Sequence, residues 1–338
     1  MRGGSVWRAM ACALAPLLLG AGPQDPLAGA LAREAAAGFS GAVRVSRGED
    51  VLADGAYGAV REQAMDPHTR FWVASIGKQF TAVAVLRCQE LGMLRLDDAL
   101  GDRLPGVPAD KRRITLRQLL THTSGLGQGY AFEGQPDRGS AMARVLGVPL
   151  EGPPGSGFRY SNENYAVLVA VVEQATGRHY PEFVRDELWR PARLWETGFA
   201  RDAGAERVAP AREPAPARLG QPAWGGEGVY STTGDLARWV RELRAGRVLS
   251  PRSLEALFTG VVPIQEGRGA AGWFVGRTAR ETATLFSRGN EDFGPNGLVY
   301  VYPERDVVVV VLSHGGNAPD GRPWSRRVLA TIEKVLGL

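Results

Sequence analysis

The sequence from residue 75 to residue 88 reads SIGKQFTAVAVLRC and joins a serine–lysine pair to an apolar run. Apolar residues recur there at helical spacing, which predicts a helix with one buried stripe. The stripe is expected to contain Phe80, Val83, Ala84 and Cys88. Ser75 then lies at the amino terminus of the helix, with Lys78 three residues later on the same helix face. The spacing therefore predicts that the Lys78 amine reaches the Ser75 hydroxyl.

A hydroxyl beside an amine suggests nucleophilic catalysis, in which Ser75 attacks a carbonyl and Lys78 takes up the hydroxyl proton. The amine must be neutral to do this, and burial disfavours the charged form of a lysine. In the alternative interpretation, Ser75 only caps the helix and Lys78 is a surface residue. The chain has three lysines. Such a pair then arises by accident on the order of one time in ten, so the assignment needs a second motif.

A second motif, Tyr160-Ser161-Asn162, follows a turn-rich stretch at 153–157 and precedes an apolar helical pattern. A Ser-x-x-Lys pair followed some eighty residues later by Tyr-Ser-Asn resembles the serine β-lactamase-related superfamily. That superfamily includes class C β-lactamases, D-alanyl-D-alanine carboxypeptidases and family VIII esterases, and is related to the class A enzymes. Further patterns follow in the order of the superfamily and extend the resemblance over roughly 39–314, which is nearly all of the mature chain. They are Leu96-Asp97-Asp98, Leu119-Leu120-Thr121-His122-Thr123-Ser124-Gly125-Leu126, Gly225-Gly226, Ser231-Thr232, Asp235-Leu236 and Tyr302-Pro303-Glu304.

The resemblance implies an α/β (α+β) sandwich of the β-lactamase/transpeptidase type. An antiparallel β-sheet flanked by helices is joined to an all-helical region, and the active site lies in the cleft between them. The resemblance also implies that Ser75 forms an acyl-enzyme and that Lys78, Tyr160 or both move its proton. Asn162 would orient the substrate and hold the lysine, and backbone amides of Ser75 and of the strand near Asn290 would hold the oxyanion. No cofactor is implied, and the four histidines form no short-spaced metal-ligand cluster, so no metal is expected.

The third motif of the superfamily, usually Lys-Thr-Gly or His-x-Gly on the strand edging the site, is not present at that place in this chain. The best candidate is the stretch 286–294, which reads FSRGNEDFG. Spacing from Gly294 places Arg288 at the cation position, whereas counting back from Gly289 places Ser287 there. An arginine can bind a substrate carboxylate but cannot share a proton at neutral pH. Both Ser287 and Arg288 are therefore candidate substrate-binding residues.

Short β-rich runs lie near both ends of the chain. Strands are predicted at 41–45, 51–52, 272–275, 283–286, 298–302 and 307–312. The link 303–306 is too short for a crossover helix, so the last two strands must be antiparallel. Helices are predicted at 116–120, 165–176, 182–189, 236–243 and 324–336. Residues 31–338 are interpreted as one hydrolase domain, with an α/β part at about 31–100 and 223–338 and a helical insertion at about 101–222.

The amino-terminal segment is typical of a signal peptide, assigned here to residues 1–30. Arg2 and Arg8 precede an apolar run from Ala9 to Leu19, and small residues follow the run. The run is too short to span a bilayer comfortably, although an uncleaved anchor remains an alternative. Because no other stretch reaches roughly 18 consecutive apolar residues, no further membrane domain is expected. The mature protein is predicted to be periplasmic or secreted.

Charge and cysteine usage exclude other classes of function. The net charge is +4, but the arginines are scattered among acids without a basic block, so no nucleic-acid partner is expected. Cys12 would leave with the signal peptide, and Cys88 would remain alone as a buried, inert thiol.

The predicted reaction is hydrolysis of a small-molecule ester, peptide or lactam, with esters favoured. A D-alanyl-D-alanine carboxypeptidase or a β-lactamase is the alternative among enzymes. Because the third motif is altered, a catalytically inactive penicillin-binding-like protein is the alternative from another class. A Ser-His-Asp triad around Ser124 is disfavoured because a G-x-S-x-G elbow is missing. His122 is instead expected to stabilise a loop through hydrogen bonds, and the sequence does not predict the oligomeric state.

Overall fold

The computed structural model describes residues 25–338, except for 61–62, 133, 201, 203–207, 210–224, 226–227 and 292–293. The helices are α1 (Pro26–Ala36), α2 (Lys78–Glu90), α3 (Leu100–Arg103), α4 (Leu116–Leu120), α5 (Arg138–Gly147), α6 (Asn162–Thr176), α7 (Tyr180–Val184), α8 (Thr233–Arg244), α9 (Pro251–Phe258) and α10 (Trp324–Leu336). The strands are β1 (Gly41–Arg47), β2 (Asp50–Tyr57), β3 (Ala59–Val60), β4 (Gln63–Ala64), β5 (Phe71–Trp72), β6 (Gly198–Phe199), β7 (Val229–Ser231), β8 (Val262–Ile264), β9 (Gly267–Gly269), β10 (Phe274–Arg277), β11 (Ala283–Asn290), β12 (Asn296–Tyr302) and β13 (Val307–Ser313).

The main sheet joins the two ends of the chain. Its strands run in the order β2-β1-β13-β12-β11-β10-β9-β8, and every neighbouring pair is antiparallel. The link between β12 and β13 forms a short 3₁₀ helix, Pro303–Arg305, and the predicted antiparallel pairing of these two strands is confirmed.

Strand β13 shows how the sheet separates two cores. It reads VVVVVLS and is buried along its whole length. Successive side chains point to opposite faces of a strand. Val307, Val309 and Val311 accordingly pack with α1 and α10, whereas Val308, Val310 and Leu312 pack into the larger core that contains α2 and α6. An antiparallel sheet with helices on both faces confirms the expected α/β sandwich.

The helical predictions agree with the structure most closely where the apolar spacing is strongest. The segments 116–120 and 324–336 match α4 and α10. The segment 182–189 is divided between α7 and a π-helical turn, Arg185–Trp189. Cys88 is buried, and burial raises the pKa of its thiol to about 12.

A small sheet that the sequence did not predict lies next to Ser75. Strand β7 pairs antiparallel with both β5 and β6. The Val73 amide continues this pairing, because it donates to the Val229 carbonyl at 3.1 Å. Strands of two or three residues are too short to show an alternating pattern.

Two predictions fall wholly or partly outside the described residues. Residues 1–24 of the predicted signal peptide are among them, while Pro26–Ala36 form α1, with Leu27 and Leu31 buried. The Ala/Pro/Arg-rich stretch 203–222, whose composition predicts a loop, is described only at Val208 and Ala209. Among the described residues, none of the helices is long and apolar enough to cross a membrane.

Candidate active site

Ser75 lies where the chain turns from the small sheet into α2. Residues Ala74–Gly77 form one turn of 3₁₀ helix that continues directly into α2. The residue before the serine, Ala74, has φ 49°, in the left-handed region that costs a non-glycine residue energy. The strain is located at the backbone that presents the Ser75 hydroxyl.

Strand β11 passes close to this turn at Gly289. A Cβ atom at position 289 would lie 2.3 Å from the Val73 carbonyl oxygen and 3.0 Å from the Ser75 amide nitrogen. Only glycine permits backbones to approach so closely. The carboxyl end of β11 is thereby brought alongside Ser75.

The Ser75 hydroxyl makes two short contacts. Its Oγ lies 2.6 Å from the phenol oxygen of Tyr160, and the Nζ of Lys78 donates to the same Oγ at 3.0 Å. Lys78 comes from the same helical segment as Ser75, whereas Tyr160 comes from a distant segment. The structure thus brings together the three residues predicted to be catalytic.

Lys78 is 2% exposed and faces aromatic rings. Its Nζ lies 5.1 Å from the ring centroid of Tyr160 and 5.7 Å from that of Tyr165. The four residues expected to form a buried stripe on α2 are buried, and burial extends further, to every residue of 78–86. The helix packs against α6, α7, α9 and the π-helical turn, so it has no solvent-facing side in this stretch.

Asn162 begins α6 directly after the Tyr160 segment. Its side chain is buried, and its Oδ1 receives no hydrogen bond from any described residue. Whether it holds the lysine or orients a substrate stays a prediction.

His122 is a residue of this site that the sequence did not assign to it. Its imidazole is buried and stacks on the Tyr160 ring, with centroids 4.4 Å apart and planes inclined by 26°. Nδ1 accepts from the Ser161 amide at 3.2 Å and lies 3.2 Å from Nδ2 of Asn164. These hydrogen bonds agree with the expected loop-stabilising role, and the Thr-His-Thr-Ser-Gly pattern was the signal that led to it. The contact with Tyr160 could not be read from that pattern.

Ser287 and Arg288 project from opposite faces of β11, as consecutive strand residues do. Ser287 is buried and lines the pocket that contains Ser75. The Arg288 guanidinium lies 4.6 Å from the Phe286 ring centroid and forms an ion pair with Glu266 at 2.5 Å. Arg288 also borders the pocket, but its charge is already paired. Asn290, the last residue of β11, is exposed.

The pocket at Ser75 is narrow, with a cavity volume of about 20 Å³. Its lining includes Ser75 with Lys78, His122 and Tyr160, and the aromatic residues Trp273 and Phe274. The remaining described lining residues are Ala270, Gly272, Ser287 and Arg288.

The disfavoured triad gains no support from the geometry. The Ser124 hydroxyl is buried and donates to Oδ1 of Asn164 at 2.5 Å, and His122 Nδ1 is occupied by the donors from the start of α6. Within the described residues there is also no group of three side chains able to hold a metal ion.

Comparison with known proteins places the chain in a family. The family model described as "Beta-lactamase" matches residues 29–332. Penicillin-binding protein 4* of Bacillus subtilis is 30% identical over 171 residues, which are 47% of this chain and 38% of that protein. The match therefore spans less than half the length of that curated relative.

Two solved structures share the fold. A penicillin-binding protein from Bacillus halodurans superposes with a TM-score of 0.77 and 23% identity, covering 91% of this chain and 99% of that one. The D-amino acid amidase from Ochrobactrum anthropi SV3, complexed with L-phenylalanine amide, superposes with a TM-score of 0.79 and 18% identity, covering 93% and 97%. At these identities the likeness concerns the fold.

Proposed function

The chain belongs to the beta-lactamase family, and we propose that it is an exported serine hydrolase that forms an acyl-enzyme on Ser75 and prefers esters to β-lactams. The observation that carries the proposal is the pair of contacts at the Ser75 hydroxyl, 2.6 Å to Tyr160 and 3.0 Å to Lys78. Two groups able to exchange a proton thus lie within hydrogen-bond distance of the nucleophile.

In the proposed reaction, Ser75 Oγ attacks the carbonyl carbon of an ester, and its proton passes to Lys78 or Tyr160. Backbone amides of Ser75 and of the end of β11 stabilise the resulting oxyanion. The bond to the alcohol oxygen then breaks, and the leaving alkoxide takes the proton back from the same pair. A water molecule next attacks the acyl carbon and gives a proton to Lys78 or Tyr160. The bond between the acyl carbon and Ser75 Oγ then breaks, the carboxylic acid is released, and the same pair returns the proton to Ser75 Oγ.

The preference for esters follows from the side chains of β11. A penicillin or cephalosporin carries a carboxylate, and the superfamily meets it with a cation on this strand. Here the buried residue facing the pocket is the uncharged Ser287, and Arg288 is paired with Glu266. A simple acyl ester has no carboxylate to bind and needs only the nucleophile, its base and the oxyanion donors.

The test compares kcat/KM for a short-chain p-nitrophenyl ester and a chromogenic cephalosporin on one preparation. The ester should be the better substrate, and Ser75→Ala should be inactive on both. Arg288→Ala should leave ester turnover within about threefold, because the side chain binds no group of the ester. If the cephalosporin is favoured tenfold or more and Arg288→Ala removes that advantage, the arginine binds the carboxylate and the ester preference is wrong.

A reciprocal variant sharpens the comparison. Ser287→Lys places a cation on the pocket side of β11, so it should improve cephalosporin turnover relative to the ester. Labelling with a fluorophosphonate and a fluorescent penicillin, followed by mass spectrometry of the modified peptide, distinguishes the inactive alternative. A folded protein that neither reagent labels at Ser75 would be a binding protein on this fold.

Export is the second half of the proposal. The charged start and short apolar run support a signal peptide. Helix α1 begins at Pro26, is capped by Asp25 and buries Leu27 and Leu31 against α10. Cleavage at residues 20–25 leaves this helix whole. Amino-terminal sequencing of the protein from the periplasm or medium should find its first residue there, and intact Met1 in a soluble cytoplasmic fraction would contradict export.

A further inference from the structure

We infer that His122 is a positioning residue whose imidazole ring holds the Tyr160 phenol against the Ser75 hydroxyl. The inference rests on the proposed function, in which Tyr160 exchanges a proton with Ser75. His122 itself need not touch the substrate. Its part is to fix where the phenol oxygen lies.

The first observation is that His122 contacts the Tyr160 ring and also forms hydrogen bonds with the residues on either side of Tyr160. The rings stack at 4.4 Å. The Arg159 amide donates to the His122 carbonyl oxygen at 2.7 Å, and the Ser161 amide donates to His122 Nδ1 at 3.2 Å. The backbone on each side of Tyr160 is therefore tied to one residue, whose ring also supports the phenol.

The second observation is that the imidazole is itself held rigidly. Asn164, on the first turn of α6, lies with Nδ2 3.2 Å from Nδ1 of His122, while its Oδ1 accepts from Ser124 at 2.5 Å. Phe158 packs edge-on at 5.6 Å, and Tyr165 lies 5.2 Å away at a tilt. A ring fixed on several sides can transmit its position to a stacked neighbour.

The third observation is that His122 is kept uncharged. An Nδ1 that accepts the Ser161 amide cannot carry a proton, so the neutral tautomer has its proton on Nε2. Burial, and then the charge of Lys78, lower the pKa of His122 to about 3. At a pH well above 3 the ring is therefore neutral. It neither takes up the Ser75 proton nor adds a positive charge beside Lys78.

Two variants separate the ring from the hydrogen bonds. His122→Asn keeps an acceptor near the position of Nδ1 and tolerates the φ of 55° at this residue, but it removes the stacked ring. His122→Phe keeps a ring but leaves the Ser161 amide without its acceptor. His68→Asn, on an exposed histidine outside the site, is the matched control.

With a p-nitrophenyl ester, His122→Asn should lower kcat by about 10- to 100-fold, since an error of about 1 Å in a reacting group has effects of this size. KM should stay within about threefold, and the thermal midpoint should fall by only a few degrees. His122→Phe should lose more thermal stability but retain a higher kcat than His122→Asn. Wild-type kcat in His122→Asn, or a kcat lower in the phenylalanine variant than in the asparagine variant, would overturn the inference.

A crystal structure of His122→Asn makes the outcome independent of the assay. The distance from the Tyr160 oxygen to Ser75 Oγ should exceed hydrogen-bond length, and an unchanged contact of 2.6 Å would overturn the positioning role. If instead the wild type hydrolyses esters no faster than Ser75→Ala, the proposed function fails, and this distance still decides the role of His122.

Discussion

The phenol oxygen of Tyr160 lies 2.6 Å from Ser75 Oγ, although the two residues are 85 positions apart in the sequence. Lys78, the other partner of the hydroxyl, is supplied by the same helical segment as the serine. One partner is thus set by local helix geometry, and the other depends on how α6 and the His122 loop pack against α2. Variants of Lys78 and of Tyr160 therefore test the local contact and the long-range contact separately.

Ser75→Ala should abolish hydrolysis and leave the fold unchanged, because it removes the nucleophile but only one small polar atom. Loss of a nucleophile lowers turnover by orders of magnitude. Activity on a p-nitrophenyl ester and the thermal midpoint should be measured on the same preparation. A variant that retained more than a few per cent of the wild-type rate would rule out Ser75 as the nucleophile.

Lys78→Ala should be nearly as inactive, and the double variant should be no slower than either single one, because residues that act as one unit are not additive. If the loss of kcat in the double variant were the product of the two single losses, the two side chains would act separately. Leu120 is buried in the core and does not line the pocket, so its truncation should affect stability far more than turnover.

Tyr160→Phe should lower kcat by about two orders of magnitude or more, the usual contribution of a proton-transferring side chain, while KM changes little. Tyr302→Phe is the control, because this buried phenol donates to Glu333 at 2.8 Å, on the face of the sheet packed with α10. It should cost about 1 kcal/mol of unfolding free energy and leave kcat unchanged. Equal kcat values for the two variants would argue against a catalytic phenol.

Gly289→Ala should reduce both activity and stability, because the added methyl carbon would lie 2.3 Å from the Val73 carbonyl oxygen and 2.8 Å from the Ala74 side chain. Moving β11 away from the Ser75 turn should lower the free energy of unfolding by about 1–3 kcal/mol. It should also lower kcat by more than about tenfold. Gly147→Ala at the end of α5, where nothing lies within 4 Å of the new Cβ, should be at least as stable as the wild type. Urea unfolding and ester turnover measure both effects.

The wild type should lose more stability than His122→Asn as the pH falls from about 6.5 towards 3. In the folded state the pKa of His122 is lowered from 6.5 to about 3, so below 6.5 the unfolded chain binds a proton that the folded chain does not. The contribution of His122 is therefore present above the unfolded pKa and decreases as the pH falls, by at most about 1.4 kcal/mol per pH unit. Urea unfolding at pH 7.5, 5.5 and 4.5 measures the difference. Parallel pH profiles for the two proteins would show that His122 titrates normally.

The sequence predicted those parts of the site that depend on local spacing. Ser75 and Lys78 needed only the geometry of one helical turn, and Tyr160 was recognised because its motif follows at the spacing of a known superfamily. The antiparallel pairing of β12 and β13 followed from the length of the link between them. For Ser75, Lys78 and the two strands neighbouring residues carry enough information, whereas Tyr160 required the resemblance to a superfamily.

The parts that the sequence did not predict depend on contacts between distant segments. The choice between Ser287 and Arg288 was left open because it depends on which face of β11 meets the helices, and a one-residue change of phase reverses the answer. The stacking of His122 on Tyr160 arises from a loop with a left-handed backbone at position 122, which has no periodic signature. The close approach at Gly289 depends on the position of Val73, which is distant in sequence and hydrogen-bonds to β7 of the small sheet.

The pairing of β1 with β13 has a consequence for the order in which the protein can assemble. Gly41 lies opposite Ser313 in the sheet. Strand β1 is therefore synthesised long before β13, the strand with which it pairs. Contacts between such distant positions form slowly, because the intervening chain must first be brought together. During synthesis β1 can pair with β2 alone, and a two-stranded hairpin is marginal in water. A ribosome-bound chain truncated before Val307 should therefore remain sensitive to protease along its whole length, with the Ser75 turn unformed until the final strand is released.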